Sequence, residues 1–308
     1  MSFQLGLARI MNTCLPSLRR SFTGLMLLCC TAGAAVPTAA SAAQSSQTSV
    51  HVAPARASGQ LGPLVNIPQT WNNCGPASVA EVLAYWGISR TQADVQAVLR
   101  ADGNPRGMAP YAVPAYARGL GLRAMLGIAG SERLVKLLVT NGFPIIVSQY
   151  VSPADHVGHY RPIQAYDNGA GIFLSSDPYL GQNHQIDYSS FDAIWKSTNR
   201  RFMLLYPPGK QQLLDRVLAA AGWDRKRAFA SDLARVRGLL SGKVRDLTGY
   251  GSPRNFELAL AWDDLQLGNI AASRQALNTA RRLGANPIVI SWIAAEQARG
   301  TKSYVGSR

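Results

Sequence analysis

The sequence predicts an α+β domain followed by an all-α domain, and three observations carry that prediction. From Cys74 to about Asn141, apolar residues recur three and four apart, the helical period. The period then changes. "FPIIVSQYV", "HYRPIQAYD" and "GIFLSSD" are β-branched or aromatic runs, and "DNGAG" between the last two is a hairpin signal. Past Pro207-Pro208-Gly209 the helical period returns in five segments, each stopped by Gly. Helices first and an antiparallel sheet after them make an α+β arrangement. Short Gly or Asn-Pro turns make the later helices antiparallel neighbours.

The first 42 residues hold no Asp or Glu. Arg19-Arg20 lead into "FTGLMLLCCTAGAAV", and "TAASA" puts Ala40 and Ala42 at the spacing of a cleavage site. Residues 1–42 therefore read as a secretory signal cut after Ala42, with a retained N-terminal anchor as the alternative. "LRRSFTG" loosely resembles a twin-arginine export signal. No later stretch is apolar enough to span a bilayer, so an exported protein, periplasmic or secreted, is expected, with no transmembrane segment in the mature chain. Cleavage leaves 266 of the 308 residues, enough for a large core without disulfide staples.

Residues 43–63, rich in Ser, Ala, Gln and Pro, read as a linker. The first domain is expected over 64–207. Asn72 or Asn73 can cap a helix that has Pro76 in its first turn and Val79, Val82, Leu83 and Trp86 on one face, with Gly87 as its stop. Thr91 and Asp94 form a capping-box pattern for a second helix. "APYAVPAYARGLG" is a short Pro-interrupted helix, and "SERLVKLLVTNG" is a helix capped by Ser131. After the hairpin come a short helix at "YSSFDAIW" and a last strand at "RFMLLYP". The helical domain fills 208–308.

The chain carries a net charge of +14, and the excess sits mainly in that tail: residues 207–308 hold 16 basic and 8 acidic groups. Such a balance favours anionic surfaces or is simply a solvated helical surface; for an exported protein nucleic acid is not expected as a partner. Cys14, Cys29 and Cys30 leave with the signal. Cys74 is then alone, and it must be an intermolecular partner, an inert buried thiol or a reactive one.

Its position favours the reactive reading. A thiolate is the nucleophile, and the unpaired N–H groups and dipole of a helix N-terminus stabilise an anion there. An adjacent imidazole would do more. Of the four histidines, His51 lies in the linker, His184 in a polar loop, and His156 and His159 flank the start of a strand, where His159 would be rigidly held. Asp177 ends the next strand of the same hairpin, so an early residue of one strand can meet a late residue of the other. That is the pairing needed to orient the ring and fix its tautomer.

"QTWNNCGPASVAEVLAYWG", "GHYRPIQAYDNGAGIFLSSDPYLG" and "FDAIW" together resemble the bacteriocin-leader-peptidase-like cysteine peptidases of the papain superfamily, over roughly Leu64 to Pro207. The resemblance implies a papain-like fold, a Cys-bearing helix packed on an antiparallel sheet. It implies Cys74 as nucleophile, His159 as general base then acid, and Asp177 as its orienting partner. It also points to Gln69 for the oxyanion hole, five residues before Cys74 where papain-like enzymes commonly have six; Asn72 or Asn73 is the substitute. The expected activity is hydrolysis of peptide or isopeptide bonds through an acyl-enzyme, on a peptide or protein substrate, with no cofactor or metal. Leader processing does not carry over, since the chain has no transporter segment. A non-catalytic peptide-binding module and a cell-wall peptide hydrolase are the alternatives. In the tail, "NFELALAWDDLQLGNIAASRQALNTARRLGANP" weakly resembles a tetratricopeptide unit through Gly268, Leu277 and Ala280. It reads either as a docking surface for a protein partner or as a helical buttress.

Overall fold

A computed structural model describes residues 51–104, 107–243 and 251–300. The expected signal (1–42) and the first part of the expected linker (43–50) lie outside the described residues. The described residues belong to one compact unit.

The elements run in order β1 (Ser58–Gln60), α1 (Cys74–Tyr85), α2 (Gln92–Leu99), α3 (Val113–Gly119), β2 (Arg123–Gly127), α4 (Glu132–Thr140), β3 (Ile145–Tyr150), β4 (Gly158–Asp167), β5 (Ile172–Asp177), β6 (Gly181–Asp187), α5 (Tyr188–Lys196) and β7 (Phe202–Tyr206). Five helices follow: α6 (Gln211–Ala220), α7 (Arg225–Leu240), α8 (Pro253–Leu267), α9 (Ile270–Arg282) and α10 (Pro287–Arg299). The α+β class holds: one antiparallel sheet in the order β2-β7-β3-β4-β5-β6, with β1 added beside β4.

Several elements depart from the sequence reading. Residues 51–63 are not a free linker. β1 pairs Ser58–Gln60 with Asp167–Ala165, Leu61 N–H donates to Gln164 O at 2.8 Å, and Ala53 N–H donates to Asn141 Oδ1 at 2.9 Å. Three residues of "SGQ" are too short and polar to carry a strand period, and Gly59 is there because a Cβ would come within 2.5 Å of the Tyr166 ring. β2 fills the far edge of the sheet. β6 occupies the stretch read as the polar loop around His184; only Ile186 of that strand is buried, so no alternation marks it.

α1 starts at Cys74 with Asn73 in the N-cap position, but neither Asn supplies a cap as expected. Asn73 makes no side-chain cap bond. Its amide is taken elsewhere: Nδ2 donates to Gln92 Oε1 at 2.9 Å, and Oδ1 accepts from Arg100 at 3.3 Å. Asn72 instead takes a left-handed backbone, φ 53°, which Asn tolerates better than most residues. The Thr91–Asp94 capping box and the Ser131 cap are present as expected.

The sheet is covered on its two faces by two cores. One gathers α4, α5 and α6 against Ile145, Val147, Ile163, Phe173 and Phe202. The other joins α1–α3, Ile146, Met203 and Leu205 to α7–α10 through Phe229, Trp262, Leu265 and Ile293. The helical tail is thus built into the core of the sheet region. Tyr111 packs against Trp262, Arg118 of α3 pairs with the buried Glu296 of α10, and Asn199 Nδ2 donates to Asp232 of α7 at 2.8 Å.

Candidate active site

β4 is ten residues long, but its neighbours share it out. β3 pairs with Gly158–Ile163 on one side, while β5 pairs only from Ile163 to Asp167 on the other. The first half of β4 therefore leaves one backbone edge open, an exposed donor–acceptor row that must be satisfied. α1 closes it. Ser78 Oγ, one helical turn beyond Cys74, donates to Tyr160 O at 3.1 Å, and Cys74 sits near enough for the Tyr160 N–H to favour its thiolate. Gly75 permits the close seat: a Cβ there would lie 2.9 Å from Met108 Cβ and Cε. Gly75 and Ser78 of "CGPAS" thus seat the start of α1 against Met108 and the open edge of β4.

The dock brings together three of the predicted site residues. Cys74 lies beside His159, close enough for each to shift the other's titration, and His159 Nε2 lies 2.9 Å from Asp177 Oδ1. With Nε2 committed to the carboxylate, Nδ1 is the nitrogen left for the sulfur. The group is well enclosed, with Cys74 at 8%, His159 at 4% and Asp177 at 0% exposure.

The electrostatics follow from these contacts. Burial pushes the Cys74 thiol up, but the hydrogen bond and charge of His159 and the N–H groups of Tyr160 and Gly75 outweigh it, and the net shift is downward. Burial pushes His159 down, yet its bonds to Asp177 and Cys74 leave it raised. Asp177 is pushed up by burial and pulled further down by His159, Arg161 and Leu180 N–H, ending well below the usual carboxylate range. All three shifts favour the same charge state: thiolate, imidazolium, carboxylate.

Four positioning residues escape the sequence reading. Arg161, wholly buried two residues after His159 and on the same face, sets its Nε 3.1 Å from Asp177 Oδ2 and donates through Nη2 to Val151 O at 2.7 Å. A charged residue at His+2 in an apolar strand was the available signal. Gln92 of α2 braces the loop before Cys74: Nε2 donates to Pro68 O at 2.7 Å, while Oε1 accepts from Thr70 N–H and from Asn73 Nδ2, each at 2.9 Å. Glu81, on α1 two turns beyond Cys74 and fully buried, accepts from Ile67 N–H at 2.9 Å and Asn66 Nδ2 at 3.4 Å. Asn66 Nδ2 also reaches Ser176 Oγ at 3.2 Å and Asp177 O at 3.0 Å. Burial, together with the charge of Asp177, raises the Glu81 carboxyl from its usual 4.5 to about 8, against the opposing pull of Ile67 and Ser176.

Gln69 stands on the same braced loop. Its N–H donates to Pro178 O at 2.8 Å, beside Asp177, and its Oε1 is buried without a hydrogen-bond partner. The Asn73 amide is engaged with Gln92 and Arg100, so of the amides considered for the oxyanion hole it is the one committed elsewhere. His51 and His156 take no part in this cluster, and His184 lies on β6. Among the described residues, no group of three or more His, Cys, Asp or Glu is placed to hold a metal, and no helix is long and apolar enough to cross a membrane. A groove of about 690 Å³ lies over β1, β4 and β5, lined by Arg56, Gln60, Gln164, Asp167 and Asn183; it includes none of Cys74, His159 and Asp177.

A Cys-bearing helix docked on an antiparallel sheet that carries His and Asp is the arrangement of a papain-like cysteine peptidase domain. Residues 60–203 match the family model described as "Peptidase_C39 like family", which bears out the likeness to bacteriocin-leader-peptidase-like cysteine peptidases over that segment. Among solved structures, the peptidase domain of Streptococcus ComA, a bifunctional ABC transporter involved in a quorum-sensing pathway, is similar at 21% identity over 47% of this chain and 99% of that one, with a TM-score of 0.39. A protein described as a C39-like peptidase from Bacillus anthracis is similar at 14% identity over 48% of this chain and 96% of that one, with a TM-score of 0.40. No curated protein matches.

Proposed function

We propose that the chain is an exported cysteine peptidase that hydrolyses peptide or isopeptide bonds through Cys74, His159 and Asp177. The observation that carries this reading is the convergence of Cys74, at a helix N-terminus, with His159, whose Nε2 lies 2.9 Å from Asp177 Oδ1. The family match over residues 60–203 supports it.

The steps balance with these groups alone. The Cys74 thiolate attacks the carbonyl carbon, forming a C–S bond and an oxyanion. His159, as imidazolium, gives its proton to the leaving nitrogen as the C–N bond breaks, leaving an acyl-enzyme. Water then attacks the acyl carbon, His159 takes its proton, and the thiolate departs with the proton restored to the ring. Asp177 holds the ring and stabilises its cation. The backbone N–H of Cys74 and the amide of Gln69 are the proposed oxyanion donors. The export signal in residues 1–42 is the basis for placing the enzyme in the periplasm or outside the cell, and the buttressing tail is proposed to hold α1 in place.

The test is incubation of the purified protein and of Cys74→Ala with a peptide library, read by mass spectrometry. Cleavage by the first and none by the second is expected. Tight peptide binding without cleavage by either would make the chain a binding module instead. Release of soluble fragments from peptidoglycan alone would redirect the substrate to cell-wall peptides.

A further inference from the structure

We infer that Trp71, Val157, Tyr179 and Leu180 form a binding rim for a large apolar or aromatic side chain of the peptide, next to the bond to be cut. The inference rests on the peptidase reading and adds a substrate class to it. The four are 87%, 58%, 63% and 43% exposed. Isolated exposed apolar residues need no explanation. Here, however, nine large hydrophobics are exposed among the described residues, and four of them fall within three positions of Cys74, His159 or Asp177. The clustering is spatial as well. The Tyr179 ring meets the His159 ring edge-on, centroids 6.4 Å apart, and the Gln69 N–H to Pro178 O bond ties the loop bearing Trp71 to the loop bearing Tyr179.

The rim is also held in place before any ligand arrives. Tyr179 and Leu180 donate their N–H groups to Asp177 Oδ1 at 2.7 and 2.9 Å, so the orienting carboxylate itself presents these two side chains outward. The turn at Trp71 is flanked by Thr70 and Asn73, both bonded to Gln92. Val157 N–H donates to Asp155 Oδ1 at 3.1 Å, and its carbonyl accepts from Val151 N–H at 3.0 Å. Exposed apolar surface on braced backbone binds an apolar partner at little ordering cost, and aromatic faces add contact area that a charged side chain cannot use without losing water.

The experiment uses the Cys74→Ala protein and short peptides identical except at one central residue: Phe, Leu, Ala or Asp. Calorimetry is expected to give binding about 10- to 100-fold tighter for Phe and Leu than for Asp, the gain of burying one large apolar side chain. Adding Trp71→Ala or Tyr179→Ala should erase most of that preference. In the active protein the same two substitutions should act on the Phe peptide mainly through KM. Equal affinity for all four peptides, or a preference untouched in both variants, would overturn the inference, as would a concentration-dependent dimer that buries the rim. If the Cys74→Ala protein selects Phe but the active protein cuts nothing, the peptidase reading fails and the rim stands. If peptides are cut without preference, the rim fails and the peptidase reading stands.

Discussion

Two buried carboxyls of this molecule have opposite fates, and the contrast separates its catalytic corner from the joint that holds its tail. Asp177 and Asp263 are both almost fully buried. Burial raises both, but Asp177 has the His159 ring, the Arg161 guanidinium and two backbone N–H donors against it, and it stays ionised. Asp263, on α8, faces Asp232 of α7. The burial and the like charge together outweigh Arg201 and Arg235, and its carboxyl is pushed well above the usual range. The first site is organised to keep a charge for use on the ring beside it. The second is shifted toward its protonated form, and it lies by Tyr111, Phe229 and Trp262, where the tail meets the sheet region. Burial alone therefore does not set the protonation state; the charges and donors facing the carboxyl decide it with burial.

The comparison can be broken at its catalytic end first. His159→Ala removes the general base and the partner of the thiolate, and turnover should fall by about 1,000-fold or more while cooperative unfolding is retained. A peptidase assay beside a denaturation curve checks both; retention of a tenth of the activity would mean that the ring is not the base. Next, Arg161→Met strips a buried carboxylate of one of its cations. Breaking such a pair costs about 3–5 kcal/mol, so a urea titration should show a loss of that size with reduced activity. A neutral result would mean that Asp177 needs only His159.

A smaller and pH-dependent effect is expected at Glu81. Its folded pKa is raised, so its protonated form stabilises the fold fully below the unfolded value. That contribution is lost as pH rises from 4.5 to about 8, at about 1.4 kcal/mol per pH unit for one proton. Glu81→Gln should flatten that decline and leave acid stability little changed; melting curves across the window decide it. The smallest effect concerns Asp263. Its raised pKa has the same sign, with stability greatest at acid pH and declining as the group ionises. Asp263→Asn should gain on the order of 1 kcal/mol at pH 8 and leave peptidase activity unchanged. A matching loss would show that the carboxylate is compensated by Arg201 and Arg235 after all.

The corner was more legible in the sequence than the frame around it. Cys74, His159 and Asp177 announce themselves through a helix start, a strand start and a strand end, features that depend on local chain direction and hairpin pairing. Arg161, Gln92 and Glu81 act across distance: an ion pair through the sheet, a brace from α2 to the loop before it, a carboxyl reaching back from α1. Each needs the tertiary dock of α1 on β4 to have meaning, although a lone Arg in "HYRPIQAYD" and a Glu on the apolar face of "SVAEVLAYWG" were visible anomalies. The strands missed, β1, β2 and β6, are short or one-sided edge elements whose pairing, not their period, makes them strands. Asn73 misled for a related reason. Its amide is taken by Gln92 and Arg100 instead of the cap it stood beside.

The most direct test of the account is the rate of Cys74 alkylation by iodoacetamide as a function of pH, in the native protein and in His159→Ala. The account predicts that the native thiol reacts with a midpoint well below the ordinary value of about 8.5, and that His159→Ala moves the midpoint up toward it. A native profile that coincides with free cysteine, or one that His159→Ala leaves in place, would contradict a thiolate held by that imidazole.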